Sequence, residues 1–368
     1  MNSRIKGMFQ RPVACQEIVI GKRLLSDDPK ELSLLSEFSK IAVITDSNVS
    51  SLHGKKIRSV LEKLSVNFSE FSIEPGEKSK CQESVSDISG RMVSEGFDRN
   101  SAVLGFGGGV VGDIAGFIAS SFKRGVPLVL VPTTLLAMVD SSIGGKNGIN
   151  LCEGKNMLGS FHQPKKVLTD LSLLKTLPLQ EVKNGLAEAI KTALALDAEL
   201  FSFISENSKE LLKCEPEKIN TLVCRCAELK LKVAELDERD FKQRNSLNFG
   251  HTVGHAIEAA TEFSVPHGLA IAAGMISEAE ISQELELLPK NELEKIKQTI
   301  RMILPETGLP ELESKNLLAL MKTDKKNSQG LIRMALPERI GKIHSENNNF
   351  SVEVPEQVIE KVLGRRLN

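Results

Sequence analysis

Tryptophan and tyrosine are both missing from the 368 residues, and phenylalanine occurs 15 times. Aromatic platforms on which single-stranded nucleic acid could stack are therefore poorly supplied. A charge imbalance is missing too. The 47 Lys and Arg stand against 48 Asp and Glu, a formal charge of −1, which shows neither a basic nucleic-acid footprint nor an acidic tail. The cysteines (Cys15, Cys81, Cys152, Cys214, Cys224, Cys226) contain no C-x-x-C and no zinc-ribbon spacing. Free thiols in a reducing compartment are the expectation. No apolar run reaches the ~18 residues of a membrane span, and the N-terminal MNSRIKGMFQRPVACQEIVI lacks a long apolar stretch with a cleavage site after it. A cytoplasmic protein is expected, with neither membrane nor nucleic acid among its partners. What is present is 41% hydrophobic and 26% charged residues, enough for a sizeable core and a length that suits two domains.

The first part of the chain has an α/β rhythm. Lys40 to Thr45 (KIAVIT) is a short apolar run ending in Asp46, Ser47 and Asn48, a buried strand followed by a polar loop. Asn67 to Ile73 follows as a second strand, closed by Pro75-Gly76, and Lys80 to Glu95 has helical spacing. Ala102 to Gly105 is a strand running into glycines, Val110 to Ser121 a small-residue helix, Leu128 to Val131 and Lys166 to Thr169 further strands. That is the βαβ order of a parallel, Rossmann-like sheet. After Pro178 the pattern turns helical: Glu181 to Leu196, Ile219 to Glu238, Asn248 to Ala260 and Ala270 to Leu285. The division expected is an α/β domain over residues 1–176 and a mainly helical domain over 177–368. No repeat or low-complexity tract interrupts either part.

Three stretches carry groups suited to chemistry. GFGGGVVGD, Gly105 to Asp113, lacks the G-K-[ST] of a P-loop. Its glycines allow backbone to approach an anion and to take φ values closed to other residues, and the helix after them would present free N–H groups. A dinucleotide's pyrophosphate fits there, and so does a mere tight turn; Asp46 is a candidate either for a cofactor ribose or for a loop cap. The run Pro132 to Asn156 holds Thr133, Asp140, Ser141, Lys146, Lys155 and Asn156 at the carboxyl end of a strand, where open sheets bind ligands, although a glycine-rich surface loop would look alike. Finally, His251, His255 and His267 lie close in HTVGHAIEAATEFSVPH, and Glu188 sits among small residues in GLAEAIK. One Glu and two His make the ligand set of an open zinc site. Spacing leaves open which two histidines take part, and core histidines with a Glu188–Lys191 surface pair would give the same sequence. Lys230, Arg244 and Asn248 gather near; Arg244, Asn248, His251 and His255 share a face if one helix begins early.

With these stretches in order, the sequence resembles the 3-dehydroquinate synthase family. GFGGGVVGDIAGFIASSFKRG, VPTTLLAMVDSSIGGKNGIN, EGKNMLGSFHQP, KTLP, GLAEAIK, AELK, DERD, LNFGHTVGHAIEA, HGLAIAAGM and DKK run in family order from Gly105 to Lys326, preceded by PGEKSK from Pro75. The resemblance implies a two-domain enzyme, a phosphorus–oxygen lyase of the shikimate pathway. It would bind NAD and one zinc or cobalt ion and turn 3-deoxy-D-arabino-heptulosonate 7-phosphate into 3-dehydroquinate and phosphate. Transient oxidation by NAD, elimination of phosphate, re-reduction and an internal aldol closure complete that reaction. It implies Glu188, His251 and His267 as metal ligands and His255 as a substrate-site residue. It implies NAD contacts at Asp46, Asn48, Glu77, Lys80, Gly109, Val110, Asp113, Thr133, Thr134, Leu136, Asp140, Ser141 and Thr176, with Lys155 shared. Substrate contacts would be Lys146, Asn156, Lys191, Lys230, Arg244, Asn248, His255 and one of Lys325 and Lys326. Arg124 resembles an arginine lent to the neighbouring subunit, which implies a homodimer. The sequence departs from the family at Asn147 and Gly148 (usually Thr and Ala), in Leu151-Cys152-Glu153, at Asp240 (usually Glu) and at Leu269 (often Glu). A sister sugar phosphate cyclase, such as 2-deoxy-scyllo-inosose synthase, is the alternative; Asn248 with His255 speaks against it. A polyol dehydrogenase would leave the lysines without a task.

Overall fold

The computed structural model describes residues 16–27, 29–151, 154–305, 312–322 and 331–367. The first part alternates β1 (Glu17–Gly21), α1 (Leu24–Asp27), β2 (Ile41–Asp46), α2 (Ser47–Lys63), β3 (Phe68–Ile73), α3 (Gln82–Ser94), β4 (Ala102–Gly107), α4 (Gly109–Ser121) and β5 (Leu128–Pro132), then β6 (Lys146–Leu151), β7 (Gly154–Phe161) and β8 (Lys166–Asp170). Six of these strands form one parallel sheet in the order β1-β8-β5-β4-β2-β3. β4, β5 and β8 are buried along their whole length. They are unbroken apolar runs because helices cover both faces of the sheet.

The two faces are covered by different helices. Ile57, Val60 and Leu61 of α2 pack with Ile41, Val43, Leu104 and Phe106. Ile88 and Met92 of α3, with Val111, Ile114 and Ile118 of α4, pack with Ala42, Ile44, Val103 and Leu130. The chain therefore leaves β2 over one face and β4 over the other. The connections diverge between these neighbouring strands, and the crevice outside their carboxyl ends, at Asp46 and Gly107, is where such sheets take ligands.

Three features depart from the sequence expectation. The polar loop expected at Asp46, Ser47 and Asn48 is the cap and first turn of α2, since the Asp46 carboxylate takes up a free N–H there. β1 was not anticipated; EIVIG is short and half-buried, and pairing with β8 from Glu17 opposite Lys166 makes it a strand. Pro132 to Asn156 is not a loose loop. It holds a π-helical turn at Ala137–Ser141 and then the antiparallel hairpin of β6 with β7. Asn147, one of the departures from the family pattern, lies where α4 crosses this hairpin. A Cβ on Gly116 would fall 1.8 Å from its Oδ1, and its Nδ2 donates to the carbonyls of Gly145 at 2.9 Å and His162 at 3.2 Å. Asn147 thus fixes the root of the hairpin.

The second part comprises α5 (Leu179–Leu196), α6 (Ala198–Glu206), α7 (Ser208–Leu212), α8 (Pro216–Leu236), α9 (His251–Ala260), α10 (His267–Glu284), α11 (Lys290–Ile303), α12 (Ser314–Lys322) and α13 (Glu356–Leu367), with two short antiparallel ribbons. α5 and α10 are buried almost all round, which their Ala, Gly and Ser permit. One apolar cluster joins Phe106 and Val131 of the sheet to Leu186 and Ile190 of α5 and Met275 of α10. Each such side chain contributes about 1.5–3 kcal/mol when fully buried, so the seam between the two parts is packed core. Among the described residues no helix is long and apolar enough to cross a membrane.

Candidate active site

Glu188, in the middle of α5, is 1% exposed. His251 opens α9 and His267 opens α10, and both turn Nε2 toward it, at 3.6 Å and 3.2 Å from its Oε1. Ligand atoms of the three lie within 4.8 Å of one another. The outer nitrogen of each ring is engaged: His251 Nδ1 with the Phe249 carbonyl at 3.1 Å, His267 Nδ1 with Glu258 Oε1 at 3.2 Å. With a metal bound, those acceptors would hold each imidazole in the tautomer whose Nε2 lone pair faces the ion; without it, His267 carries a proton on both nitrogens between its two carboxylates. Burial opposes a charge on His267, but hydrogen bonds with Glu188 and Glu258 outweigh it and lift its pKa to about 10. Two buried carboxylates call for a cation between them, and a divalent ion answers that demand. The donor set fits zinc or cobalt. His255 stays outside it, its ring edge set against His251 with centroids 5.2 Å apart.

The helices bring these residues together by close approach. At Gly250, with φ +79°, the chain turns into α9, and a Cβ on Gly274 of α10 would fall 2.0 Å from the Gly250 carbonyl. Glu278 caps α9, accepting from Gly250 N at 2.6 Å, Thr252 N at 2.9 Å and Val253 N at 3.0 Å. Asn184 Oδ1 accepts from Gly268 N at 3.1 Å and pins the start of α10 to α5 one turn before Glu188. Arg244 and Asn248 do not continue α9 as one helical face. Gln243–Asn248 is a separate 3₁₀ turn, and the Gly250 turn breaks the register.

Beside the carboxylate and histidines lies a chain of paired charges. Lys191 Nζ is 2.5 Å from Glu188 Oε2 and 3.2 Å from Asp140 Oδ1. Lys230 Nζ is 2.8 Å from the same Asp140 oxygen and donates to its carbonyl at 2.7 Å. The Glu188–Lys191 pair is interior, not a surface pair. Burial resists ionisation of Asp140, yet Lys191 and then Lys230 overcome it and hold the pKa at about 2. Burial likewise opposes charge on Glu188, and Lys191 foremost keeps it ionised, well below the usual carboxylate range. Lys146 contacts Asp240. Its side chain is 43% exposed, yet desolvation at the crevice wall, helped by Arg244, lowers its pKa to about 8 against the pull of Asp240. Arg244 is buried, with Nη1 on the Glu238 carbonyl at 2.9 Å.

The glycine turn holds its glycines for room, not for φ. Gly105, Gly107, Gly108 and Gly109 all avoid the left-handed region. A Cβ on Gly107 would meet Val111 Cβ at 2.6 Å, one on Gly108 Thr134 Cγ2 at 2.9 Å, and one on Gly109 Ser141 Oγ at 3.1 Å. The first N–H groups of α4 face this turn. Thr133 Oγ1 is buried there without a hydrogen-bond partner, a group a ligand could satisfy. Asp46 caps α2, Oδ1 accepting from Val49 N at 3.0 Å. Lys80 Nζ contacts Asp113 and reaches Asn156 Oδ1 at 2.6 Å, while Asn150 Nδ2 holds Glu77 Oε1 at 2.8 Å. Lys155 pairs with Glu258 at 2.9 Å, and Thr176 Oγ1 with His53 Nε2 at 2.8 Å. These residues suit a dinucleotide laid along the crevice.

Arg124 is exposed at the far end of α4 from the glycine turn, about 20 Å away at 1.5 Å per residue. Asn48 is exposed in the first turn of α2, and Asn248 Nδ2 donates to Asn245 Oδ1 at 3.1 Å. Lys325, Lys326, Cys152 and Glu153 lie outside the described residues. Sequence reasoning passed over Asn184, Glu258 and Glu278. The signal was a polar residue in an otherwise small and apolar stretch.

Comparison with known proteins follows the same line. The family model described as 3-dehydroquinate synthase N-terminal matches residues 70–184, and the C-terminal one residues 185–327. The 3-dehydroquinate synthase of Thermodesulfovibrio yellowstonii is 40% identical over 94% of this chain and 96% of its own length. That of Caldanaerobacter subterraneus subsp. tengcongensis is 42% identical over 88% and 90%. Among solved structures, 2-epi-5-epi-valiolone synthase from Streptomyces hygroscopicus subsp. jinggangensis, with NAD+ and Zn2+ bound, superposes with TM-score 0.87 at 29% identity, covering 98% of each chain. A 2-deoxy-scyllo-inosose synthase with carbaglucose-6-phosphate, NAD+ and Co2+ gives 0.86 at 27% identity over 95% and 96%.

Proposed function

The chain belongs to the 3-dehydroquinate synthase family, and from that premise we propose how its residues divide the reaction. The protein converts 3-deoxy-D-arabino-heptulosonate 7-phosphate into 3-dehydroquinate and phosphate. When bound, NAD takes up and returns a hydride, and the divalent metal supplies a Lewis acid for the oxidised hydroxyl. The observation that carries the reading is the buried Glu188, His251 and His267 set, with Lys191 and Lys230 held beside it by Asp140. We assign the metal to those three residues and the nucleotide to the crevice from Asp46 past the glycine turn to Thr133, Thr134 and Ser141.

Lys146, Lys230, Arg244 and His255 supply cations and donors for the phosphate and carboxylate of the substrate. Lys191 and Asn156 orient its hydroxyls. The α/β part (1–176) thereby serves the nucleotide and lends Lys146 and Asn156 to the substrate, while the helical part (177–368) serves the metal and the rest of the substrate, with closure over the crevice excluding water from reactive intermediates. The protein works in the cytoplasm as a homodimer in which Arg124 completes the neighbour's phosphate site. Mixing inactive Arg124→Ala and Glu188→Gln chains then restores about a quarter of full activity, because hybrid dimers hold one intact site. No recovery in proven hybrids would overturn the shared site.

The deciding experiment is phosphate release from 3-deoxy-D-arabino-heptulosonate 7-phosphate with NAD and zinc or cobalt present, NADH being followed in the same cuvette. Phosphate and 3-dehydroquinate appear without net NADH, and EDTA stops both. Turnover of another sugar phosphate with none of this one would move the assignment to a sister cyclase.

A further inference from the structure

Glu258 of α9 is 2% exposed, and the assignments above give it no task at the substrate. A single oxygen, Oε1, serves two partners: His267 Nδ1 at 3.2 Å and Lys155 Nζ at 2.9 Å. Its other oxygen has no hydrogen-bond partner. Lys155 comes from β7 in the α/β part, so this contact joins the two parts of the molecule. The same ammonium stands 4.5 Å from the centre of the Phe263 ring.

We propose that Glu258 is a positioning residue that couples the metal centre to Lys155, so that occupancy of one changes the affinity of the other. The inference rests on the metal-centre reading above. An acceptor behind a ligating imidazole raises the basicity of its metal-facing nitrogen. While Lys155 shares Oε1, the acceptor strength left for His267 is reduced. When Lys155 turns to an anionic ligand, the full carboxylate falls on His267 and the metal is held more tightly. By linkage the anionic ligand then binds more tightly to the metal-loaded protein.

Zinc affinity of the full chain, measured by competition with a chromophoric chelator, tests this without reference to turnover. Glu258→Gln weakens zinc binding about 10- to 100-fold, the usual cost of losing such a partner. Lys155→Met tightens it several-fold, and that gain disappears in the double variant. Wild-type affinity in Glu258→Gln, no change in Lys155→Met, or an equal gain in both backgrounds would each overturn the coupling. Should Glu258→Gln fail to fold, Lys155→Met decides alone, since unchanged affinity there refutes the proposal. His251→Ala separates the metal centre from the coupling. If it binds zinc like the wild type, the metal-centre reading falls and the coupling with it. If it loses zinc while Glu258→Gln retains it, the coupling alone falls.

Discussion

The two sides of the crevice are made of different material. Around the glycine turn the contacts are mostly backbone, missing Cβ atoms and hydroxyls, Gly107, Gly108, Gly109, Thr133, Thr134 and Ser141, with one ion pair, Lys80 with Asp113. On the helical side they are buried charges: Glu188, Lys191, Lys230 and two histidines, tied to Asp140 from the sheet side. A dinucleotide that leaves the reaction unchanged is held by shape and by oriented N–H groups. A metal and a phosphorylated acid need full charges. Removed from water, those charges persist only in mutual pairs. Change on one side should therefore act through packing, and on the other through electrostatics.

The largest effect is expected at the metal. Glu188→Gln removes the charge and the proposed ligand while keeping volume. Lewis-acid stabilisation worth several kcal/mol at 1.36 kcal/mol per decade puts the loss of phosphate release at about a thousandfold or more. Metal content measured on the same sample should fall with it; retained metal with lost activity would separate charge from ligation.

Asp140→Asn tests whether the cations need their carboxylate. Removing one partner of a buried ion pair costs about 3–5 kcal/mol, read by urea denaturation. The sign with pH follows from the lowered pKa. Asp140 contributes stability above its ordinary 3.8, and that contribution is lost as pH falls through about 2. The variant should therefore lose less stability than the wild type over that acid interval.

Gly107→Ala probes the glycine turn. Its Cβ would meet Val111 at 2.6 Å, so stability falls by about 1–3 kcal/mol through overpacking. NAD binding weakens while zinc affinity stays as in the wild type. A loss of zinc would blur the contrast between the sides.

The smallest effect is a pH dependence at Lys146. The side chain is 43% exposed, and desolvation in the crevice, with Arg244 nearby, draws its pKa down to about 8, so its positive charge weakens as pH rises past that value. KM for the phosphorylated substrate should climb several-fold from about pH 7 to 9, and Lys146→Arg, which stays charged, should flatten that rise. An unchanged slope in the arginine variant would assign the rise to another group.

Much of this was readable in the chain. The apolar run KIAVIT, the glycines after AVLG and the small-residue helices placed β2, the turn before α4, and α5 and α10 within a few residues. These are signals of one element at a time, carried by periodicity and turn chemistry. The histidines show where such signals stop. His251 and His255 share a helix face, yet the carboxylate meets His251 and His267, because α9 and α10 cross where Gly250 and Gly274 let their backbones touch. The family resemblance pointed to the same pair; spacing alone left it open.

Although β1 and the start of α2 escaped it, the sequence by itself therefore determined most element types, the parallel α/β half, the helical half and the inventory of charged groups. Each of these follows from local backbone preference and from which side chains avoid water. Only the tertiary structure decided the pairings. Asp140 holds Lys191 and Lys230, Glu258 stands between His267 and Lys155, and Glu278 and Asn184 orient the helices that carry His251 and His267. The physical reason is that a hydrogen bond or ion pair depends on distances of about 3 Å between groups that can lie scores of residues apart. Helix crossings and strand order set such distances, and no local pattern along the chain records them.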